Sequence, residues 1–423
     1  MNVRLKPGEV HGTVSSPPSK SMTHRAYICS SLATGTSTAL KPLISDDTDA
    51  TRKILEALGI KFTGLPKGVE IHGGTIRQPQ GDLYCRDSGT TLRLMTPLCS
   101  LIEGDVRLTG GESLLKRPIG PLLDGLTQLN VKCESNDGYP PVTIHGTGMI
   151  NGGTVHIPGD ISSQFISALL LVAPLAEEPV TIELTTPLES KPYVQMTLDS
   201  QRKYGVNVKA AEDYRSFTIP QCQYSPAVFH VEGDWSSASF LLASGSLAGE
   251  VTVQNLDLNS SQADAEIVQI LESMGANLSV GENQITVVKS PLEALSYDIS
   301  DSPDLFPIVA ALCSKADGES IISGTRRLKF KESDRAAAMK EGLTRMGIQV
   351  VQSDDEFRVQ GGDPAGATID PRNDHRIAMA FAVLGLSALG ETLIEDAECV
   401  SKSYPGFWKD LESLDVKYVE EDK

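Results

Sequence analysis

One pattern recurs six times along this 423-residue chain: a short cluster rich in Ser and Asp opens an apolar run of helical length. It stands at Ser19–Arg25 before Ala26–Ala33, at Asp87–Thr91 before Leu92–Cys99, and at Asp160–Gln164 before Phe165–Ala173. It returns at Asp234–Ala238 before Ser239–Ala243, at Asp301–Asp304 before Leu305–Cys313, and at Asn373–Arg376 before Ile377–Leu384. Anchored on Ser21, Ser88, Ser162, Ser236, Ser302 and Asp374, the intervals are 67, 74, 74, 66 and 72 residues. A second marker keeps the same step: Leu58-Gly-Ile60, Leu129-Asn-Val131, Tyr204-Gly-Val206, Met274-Gly-Ala276, Met346-Gly-Ile348 and Leu414-Asp-Val416. Gly, Asn or Asp after the last apolar position is the left-handed residue that stops a helix. Two independent markers with one period predict a repeat architecture.

Short alternating segments between the helices, such as Val251–Leu256, Gln284–Val288, Thr143–His145 and Phe357–Val359, read as strands. Each unit therefore reads strand, helix, strand, helix, strand, strand. A chain of this length exceeds one core at roughly 100–200 residues per domain, so six units divide three and three. The expected class is α/β (α+β), with each domain built from three βαβαββ repeats around a pseudo-threefold axis.

Composition narrows the partners. With 37 basic against 55 acidic residues the net charge is −18, which argues against nucleic acid or an anionic membrane surface but leaves a small anionic substrate open. Seven scattered cysteines form no CxxC pair, and the histidines show no metal-ligand spacing. These patterns lead to the expectation of no metal and a reducing cytoplasm; no cofactor and a monomer are expected too, and no apolar stretch approaches the roughly 18–20 residues of a membrane span.

Charge placement at the helix starts is unusual. Lys20 and Arg25 lie at the first, His375 and Arg376 at the sixth, and Lys331-Glu-Ser-Asp-Arg335 opens the second helix of the fifth unit, while Arg117 and Lys402 follow turns. Cations oppose the macrodipole at a helix N-terminus, so a fold without an anionic ligand would not favour them there. If three units surround each axis, their first helices point N-termini the same way, and two such domains facing each other would form an anion-binding cleft.

Seven co-linear segments carry a resemblance: Pro18–Arg25, Asp87–Arg93, Lys116–Gly120, Asp160–Gln164, Glu189–Tyr193, Lys331–Arg335 and Asn373–Arg376. Together they are similar to the 3-phosphoshikimate 1-carboxyvinyltransferases, or EPSP synthases, from Pro18 to Lys402. The resemblance implies two domains joined by two crossing strands, with residues 19–232 inserted and 1–18 plus 233–423 discontinuous. It also implies transfer of the enolpyruvyl group of phosphoenolpyruvate to the 5-hydroxyl of shikimate 3-phosphate through a tetrahedral intermediate.

Carried over by residue, the resemblance assigns Lys20, Ser21, Arg25, Ser162, Ser163, Gln164, Ser190, Asp304 and Lys331 to shikimate 3-phosphate. It assigns Lys20, Gly89, Arg117, Gln164, Arg335, Arg376 and Lys402 to phosphoenolpyruvate, and makes Asp304, Glu332 and Lys20 catalytic. Read as residues alone, Asp304 equally fits the N-cap of the helix at Leu305, Glu332 a first-turn acid, and Ser162 and Ser163 caps. His375 fits either proton transfer or loop orientation. Asp87, Leu94 and Arg327 depart from the pattern, Asp87 standing where Asn is common. The sister transferase acting on UDP-N-acetylglucosamine carries a Cys on the loop that here reads Thr109–Arg117 without one, and a silent anion-binding relative would not need Asp304 and Glu332.

Overall fold

The computed structural model describes residues 1–422. The chain divides into two compact units, an inserted one, Pro18–Val231, and a discontinuous one, Met1–Pro17 with Glu232–Lys423. Each holds six α-helices among the described residues. Those of the inserted unit are α1 (Lys20–Leu32), α2 (Asp46–Ala57), α3 (Gly89–Leu98), α4 (Gly120–Gln128), α5 (Ser163–Val172) and α6 (Lys191–Lys203). Those of the discontinuous unit are α7 (Trp235–Ala248), α8 (Ile267–Ser273), α9 (Phe306–Cys313), α10 (Arg335–Arg345), α11 (His375–Gly385) and α12 (Phe407–Ser413).

Six four-stranded sheets accompany them among the described residues, all with one topology. In the sheet of Gly153–Ile157, Val180–Leu184, Ser216–Ile219 and Lys209–Ala210, the first two strands are parallel and joined by α5. The last-formed strand then inserts antiparallel between the second and third. A parallel pair needs a helical crossover, and an antiparallel pair needs only a turn, so one βαβαββ run supplies each sheet.

Three of the six runs are not contiguous, which corrects the reading of six successive units: Val10–Ser15, paired in parallel with Gly249–Gln254, supplies the first strand of the repeat that continues at α7. Asn2–Leu5 lies between Thr392–Ile394 and Tyr418–Glu421, so the N-terminal strand completes the last repeat of the chain. Val228–His230 pairs in parallel with Gly35–Leu40 and supplies the first strand of the inserted unit's first repeat. Each unit is thus closed by strands from opposite ends of its own sequence. Where the chain passes between units, the Asp234 N–H donates to Pro17 O at 2.7 Å and Ser16 Oγ to Asp234 O at 2.9 Å.

The odd-numbered helices are the core. Every residue of α9 and α11 is buried, and in α1, α3, α5 and α7 the single exception is the second residue: Ser21, Thr90, Gln164 and Ser236. Helices apolar on all sides belong inside a domain, whereas α2, α4, α6 and α10 bury one face. Gly342 of α10 faces Phe381 of α11, where an added Cβ would meet the ring at 2.1 Å, so the bodies of the two helices pack closely at this point. All six helix-stop residues, Gly59, Asn130, Gly205, Gly275, Gly347 and Asp415, have positive φ, between 60° and 92°. The repeat's second marker is therefore a backbone requirement.

Candidate active site

In the inserted unit, the inner helices begin on hydroxyl caps. Ser19 Oγ accepts from Met22 N, Ser88 Oγ from Thr91 N and Ser162 Oγ from Gln164 N. Neutral caps satisfy one orphan N–H without cancelling the positive end of the helix. Ser163 opens α5, and Ser190 precedes α6 in the left-handed conformation, φ +55°. A Ser162 cap and a ligand-facing Ser162 are compatible, because the hydroxyl can donate while it accepts.

Three cations stand near these starts. Lys20 Nζ donates to Asp47 Oδ2 at 2.9 Å. Arg25 donates only to neutral oxygens: Thr197 Oγ1 at 2.8 Å, Ser21 O at 2.9 Å and Tyr193 O at 2.9 Å. Burial pushes its guanidinium down to about 10, and no carboxylate among the described residues offsets that cost. Arg117 lies over the start of α3, where a Cβ on Gly89 would sit 2.5 Å from the guanidinium carbon. Gly89 is thus needed for Arg117 to occupy this position.

Gln164 ties α5 to α3: its Nε2 donates to Thr90 Oγ1 at 2.9 Å and its Oε1 accepts from Arg93 Nη1 at 2.8 Å. Arg93 also packs over the Phe165 ring at 5.3 Å and so orients a predicted ligand residue. Leu94 is buried within α3. Asp87 lies against Gly111, where a Cβ would meet its Oδ1 at 2.4 Å.

The discontinuous unit arms its helix starts with carboxylates. Asp234 caps α7 and Asp374 caps α11. Asp304 does not cap α9; that position falls to Leu305 with no side-chain cap, which settles the sequence ambiguity against the capping role. Its carboxylate instead receives Arg335 Nη1 at 2.7 Å, Arg376 Nη2 at 2.9 Å and Lys331 Nζ at 3.3 Å. Burial would raise the Asp304 carboxyl, but Arg376, Lys331 and Arg335 hold it well below the usual carboxylate range. Burial also pushes Lys331 down to about 8, against the pull of Asp304.

Arg335, 1% exposed, is the hub: its Nε donates to Asp374 Oδ2 at 2.9 Å, and Nη2 to Glu332 Oε2 at 2.8 Å. Glu332 precedes α10, whose cap is Asp334, so it is no first-turn acid. Lys402 Nζ donates to Asn373 O at 2.7 Å, and His375 is the buried first residue of α11. Arg327 donates from Nη2 to Ser300 O at 2.6 Å. Asp47, Asp264 and Asp374 are partners that the sequence reading passed over. An acid at the start of a repeat's second helix, as in Ser45-Asp-Asp-Thr-Asp49, was the available signal for Asp47.

The profile of the family described as EPSP synthase (3-phosphoshikimate 1-carboxyvinyltransferase) matches residues 5–411. The chain belongs to the EPSP synthase family. It is 42% identical over its full length, and that of the relative, to a 3-phosphoshikimate 1-carboxyvinyltransferase of Dehalococcoides mccartyi. It is also 42% identical, again over 100% of both chains, to one of Methanocorpusculum labreanum. Among solved structures, an EPSP synthase from Acinetobacter baumannii superposes with a TM-score of 0.81 at 26% identity, covering 99% of this chain and 100% of that one. No helix among the described residues is long and apolar enough to cross a membrane.

Proposed function

We infer that this chain moves the enolpyruvyl group of phosphoenolpyruvate onto the 5-hydroxyl of shikimate 3-phosphate and releases phosphate. The observation that carries the residue roles is the carboxylate of Asp304, half-buried and held ionised by three cations. In this reading Asp304 takes the 5-hydroxyl proton as the oxygen bonds to C2 of phosphoenolpyruvate, and Glu332 serves the proton delivered to its methylene carbon. Loss of a proton from the resulting methyl group then restores the double bond as the C2–O bond to phosphate breaks.

A strongly depressed Asp304 is a poor base in the free enzyme. Incoming phosphate and carboxylate groups would draw on Arg335, Arg376 and Lys331, weaken their hold and raise its proton affinity when the hydroxyl arrives. Lys20, Ser21, Arg25, Ser162, Ser163, Gln164, Ser190 and Lys331 are assigned to shikimate 3-phosphate. Lys20, Gly89, Arg117, Gln164, Arg335, Arg376 and Lys402 are assigned to phosphoenolpyruvate. The Arg335 hub, filled by three carboxylates, supports a second duty for that residue: fixing Asp304 and Glu332 relative to each other. The free, scattered cysteines support a cytoplasmic location, and a monomer is proposed with it.

Phosphate release with phosphoenolpyruvate and shikimate 3-phosphate, run beside UDP-N-acetylglucosamine, tests the activity. Release with the first acceptor alone is expected; release only with the sugar nucleotide would overturn it.

A further inference from the structure

The inserted unit buries a run of polar side chains that the reaction scheme leaves without a task. His24 of α1, Thr51 of α2, Thr91 of α3 and the cap of α3, Ser88, are each no more than 1% exposed. His24 Nδ1 lies 2.8 Å from Thr51 Oγ1, which in turn lies 2.8 Å from Thr91 Oγ1. Thr91 Oγ1 donates to Ser88 Oγ at 2.8 Å, with Asp47 O at 3.2 Å as a longer alternative acceptor. The chain thus runs from α1 through α2 to the start of α3.

The count of hydrogens fixes its direction, because a hydroxyl has only one to give. Thr91 spends its own on Ser88 Oγ or Asp47 O, so the bond between Thr51 and Thr91 is donated by Thr51. Thr51 then has no hydrogen left for His24, and the imidazole donates from Nδ1. His24 is therefore the neutral Nδ1–H tautomer, with a bare lone pair on Nε2. Two further observations agree. Nε2 is buried and meets no hydrogen-bond partner, a place where an orphaned N–H would be the rarer and costlier choice. Burial, with Lys20 and Arg25 nearby, also holds the ring well below its usual value and so uncharged.

At its far end the chain leaves a donor. Ser88 Oγ accepts from the Thr91 N–H at 3.2 Å and from the Thr91 hydroxyl, both on the side of the first helical turn. The remaining tetrahedral position, which holds the Ser88 hydrogen, points away from that turn. Gly89 is the next residue, and the Arg117 guanidinium lies over it.

We propose that His24, Thr51 and Thr91 are positioning residues for phosphoenolpyruvate: an oriented chain of hydrogen bonds that turns the Ser88 hydroxyl outward, as a donor to the anionic end of that substrate beside Gly89 and Arg117. This rests on the reading that seats phosphoenolpyruvate there. Each bond in the chain polarises the next in the same sense, which strengthens the last donor. Cut at Thr51, the chain loses its direction. Thr91 Oγ1 then has an empty acceptor position, its own hydrogen can swing to Asp47 O, and the Ser88 hydroxyl turns back onto it. The donor is lost to the ligand while the three helices stay packed.

The test uses two pairs of variants, with phosphate release from phosphoenolpyruvate and shikimate 3-phosphate as the readout. Thr51→Val keeps the branched shape without the hydroxyl, and Thr51→Ser keeps the hydroxyl. His24→Leu removes the donor, and His24→Asn places an amide N–H near the position of Nδ1. KM for phosphoenolpyruvate should rise about 5–10-fold in Thr51→Val and His24→Leu, with KM for shikimate 3-phosphate within about twofold of the parent. Thr51→Ser and His24→Asn should restore the parent value. An unchanged KM for phosphoenolpyruvate in Thr51→Val, or equal rises for both substrates, would overturn the proposal; the Thr51 pair decides if His24→Leu does not fold.

Long-range proton–nitrogen correlation spectra check the tautomer without catalysis, the His24 signals being those absent from His24→Asn. A protonated Nδ1 and a bare Nε2 are expected, and a protonated Nε2 would reverse the chain and end the proposal. The two readings stay distinguishable. A parent that releases no phosphate overturns the functional reading and this inference with it, whereas an active parent with an unshifted Thr51→Val overturns this inference alone.

Discussion

The two units share one frame and use their inner helix starts in opposite ways. In the inserted unit the caps are Ser19, Ser88 and Ser162, and Arg25 is bonded only by neutral oxygens. In the discontinuous unit the caps of α7 and α11 are Asp234 and Asp374, and Arg335 is met by three carboxylates. A hydroxyl cap leaves the positive helix end available to an incoming anion, whereas a carboxylate cap has already claimed it. The inner helix ends of the inserted unit are thus left positive, whereas those of α7 and α11 are met by carboxylates. Pseudo-symmetry in the backbone permits this division, because a cap residue can change without altering the repeat.

The contrast breaks first at Asp304. Asp304→Ala should lower kcat by about 10²–10⁴ while equilibrium binding of shikimate 3-phosphate is largely kept; Lys20→Ala should damage both. Normal turnover in Asp304→Ala would remove proton chemistry from the discontinuous unit and leave the two halves alike in function.

Matched substitutions of two buried arginines sharpen the comparison further. Arg335→Gln leaves Asp304, Asp374 and Glu332 without their shared cation, and should destabilise the fold by about 3–5 kcal/mol in denaturant unfolding. Arg25→Gln removes a buried cation whose partners are neutral, so the fold should keep its midpoint while KM for shikimate 3-phosphate rises about 10–100-fold. Equal destabilisation by both would show that Arg25 is structural.

Much of this frame was legible in the chain. Helix starts and stops are local events, decided within a turn by caps and by residues that tolerate positive φ, so Ser19, Ser88, Asp234 and Gly59 announce themselves. The permuted strands were hidden because Asn2–Leu5 and Val228–His230 are too short to show a period, and their partners lie far along the sequence. The same reason hid Asp47 and Asp264: a carboxylate's role depends on which cation tertiary packing brings to it. Asp304 was ambiguous for the converse reason, since Asp before an apolar run is an ordinary cap, and only the placement of Leu305 at that position frees its carboxylate.

A smaller effect is expected at Gly89. In Gly89→Ala the new methyl would fall 2.5 Å from the Arg117 guanidinium carbon, a contact relieved by moving the far end of a flexible side chain. Folding should survive nearly unchanged, and KM for phosphoenolpyruvate should rise about tenfold with a lesser effect on shikimate 3-phosphate, as one charge-assisted contact is misplaced. Equal effects on both substrates would move Arg117 out of the phosphoenolpyruvate set.

The least expected change lies far from the chemistry, where the two units use the same device with different residues. Asn130 ends α4 at φ +60° and Asp415 ends α12 at φ +68°, whereas the other four stops are glycine. A left-handed backbone strains a residue that carries a Cβ, and Asn tolerates it better than most. Asp415→Gly should therefore stabilise the protein by about 0.5–1 kcal/mol in denaturant unfolding, and Asn130→Gly by less, because glycine's greater freedom in the unfolded chain offsets part of the relief. Activity should be untouched in both. A loss of stability at Asp415 would mean that its side chain contributes to the turn in ways the φ angle does not reveal, and that the stops are individually tuned rather than interchangeable copies of one repeat.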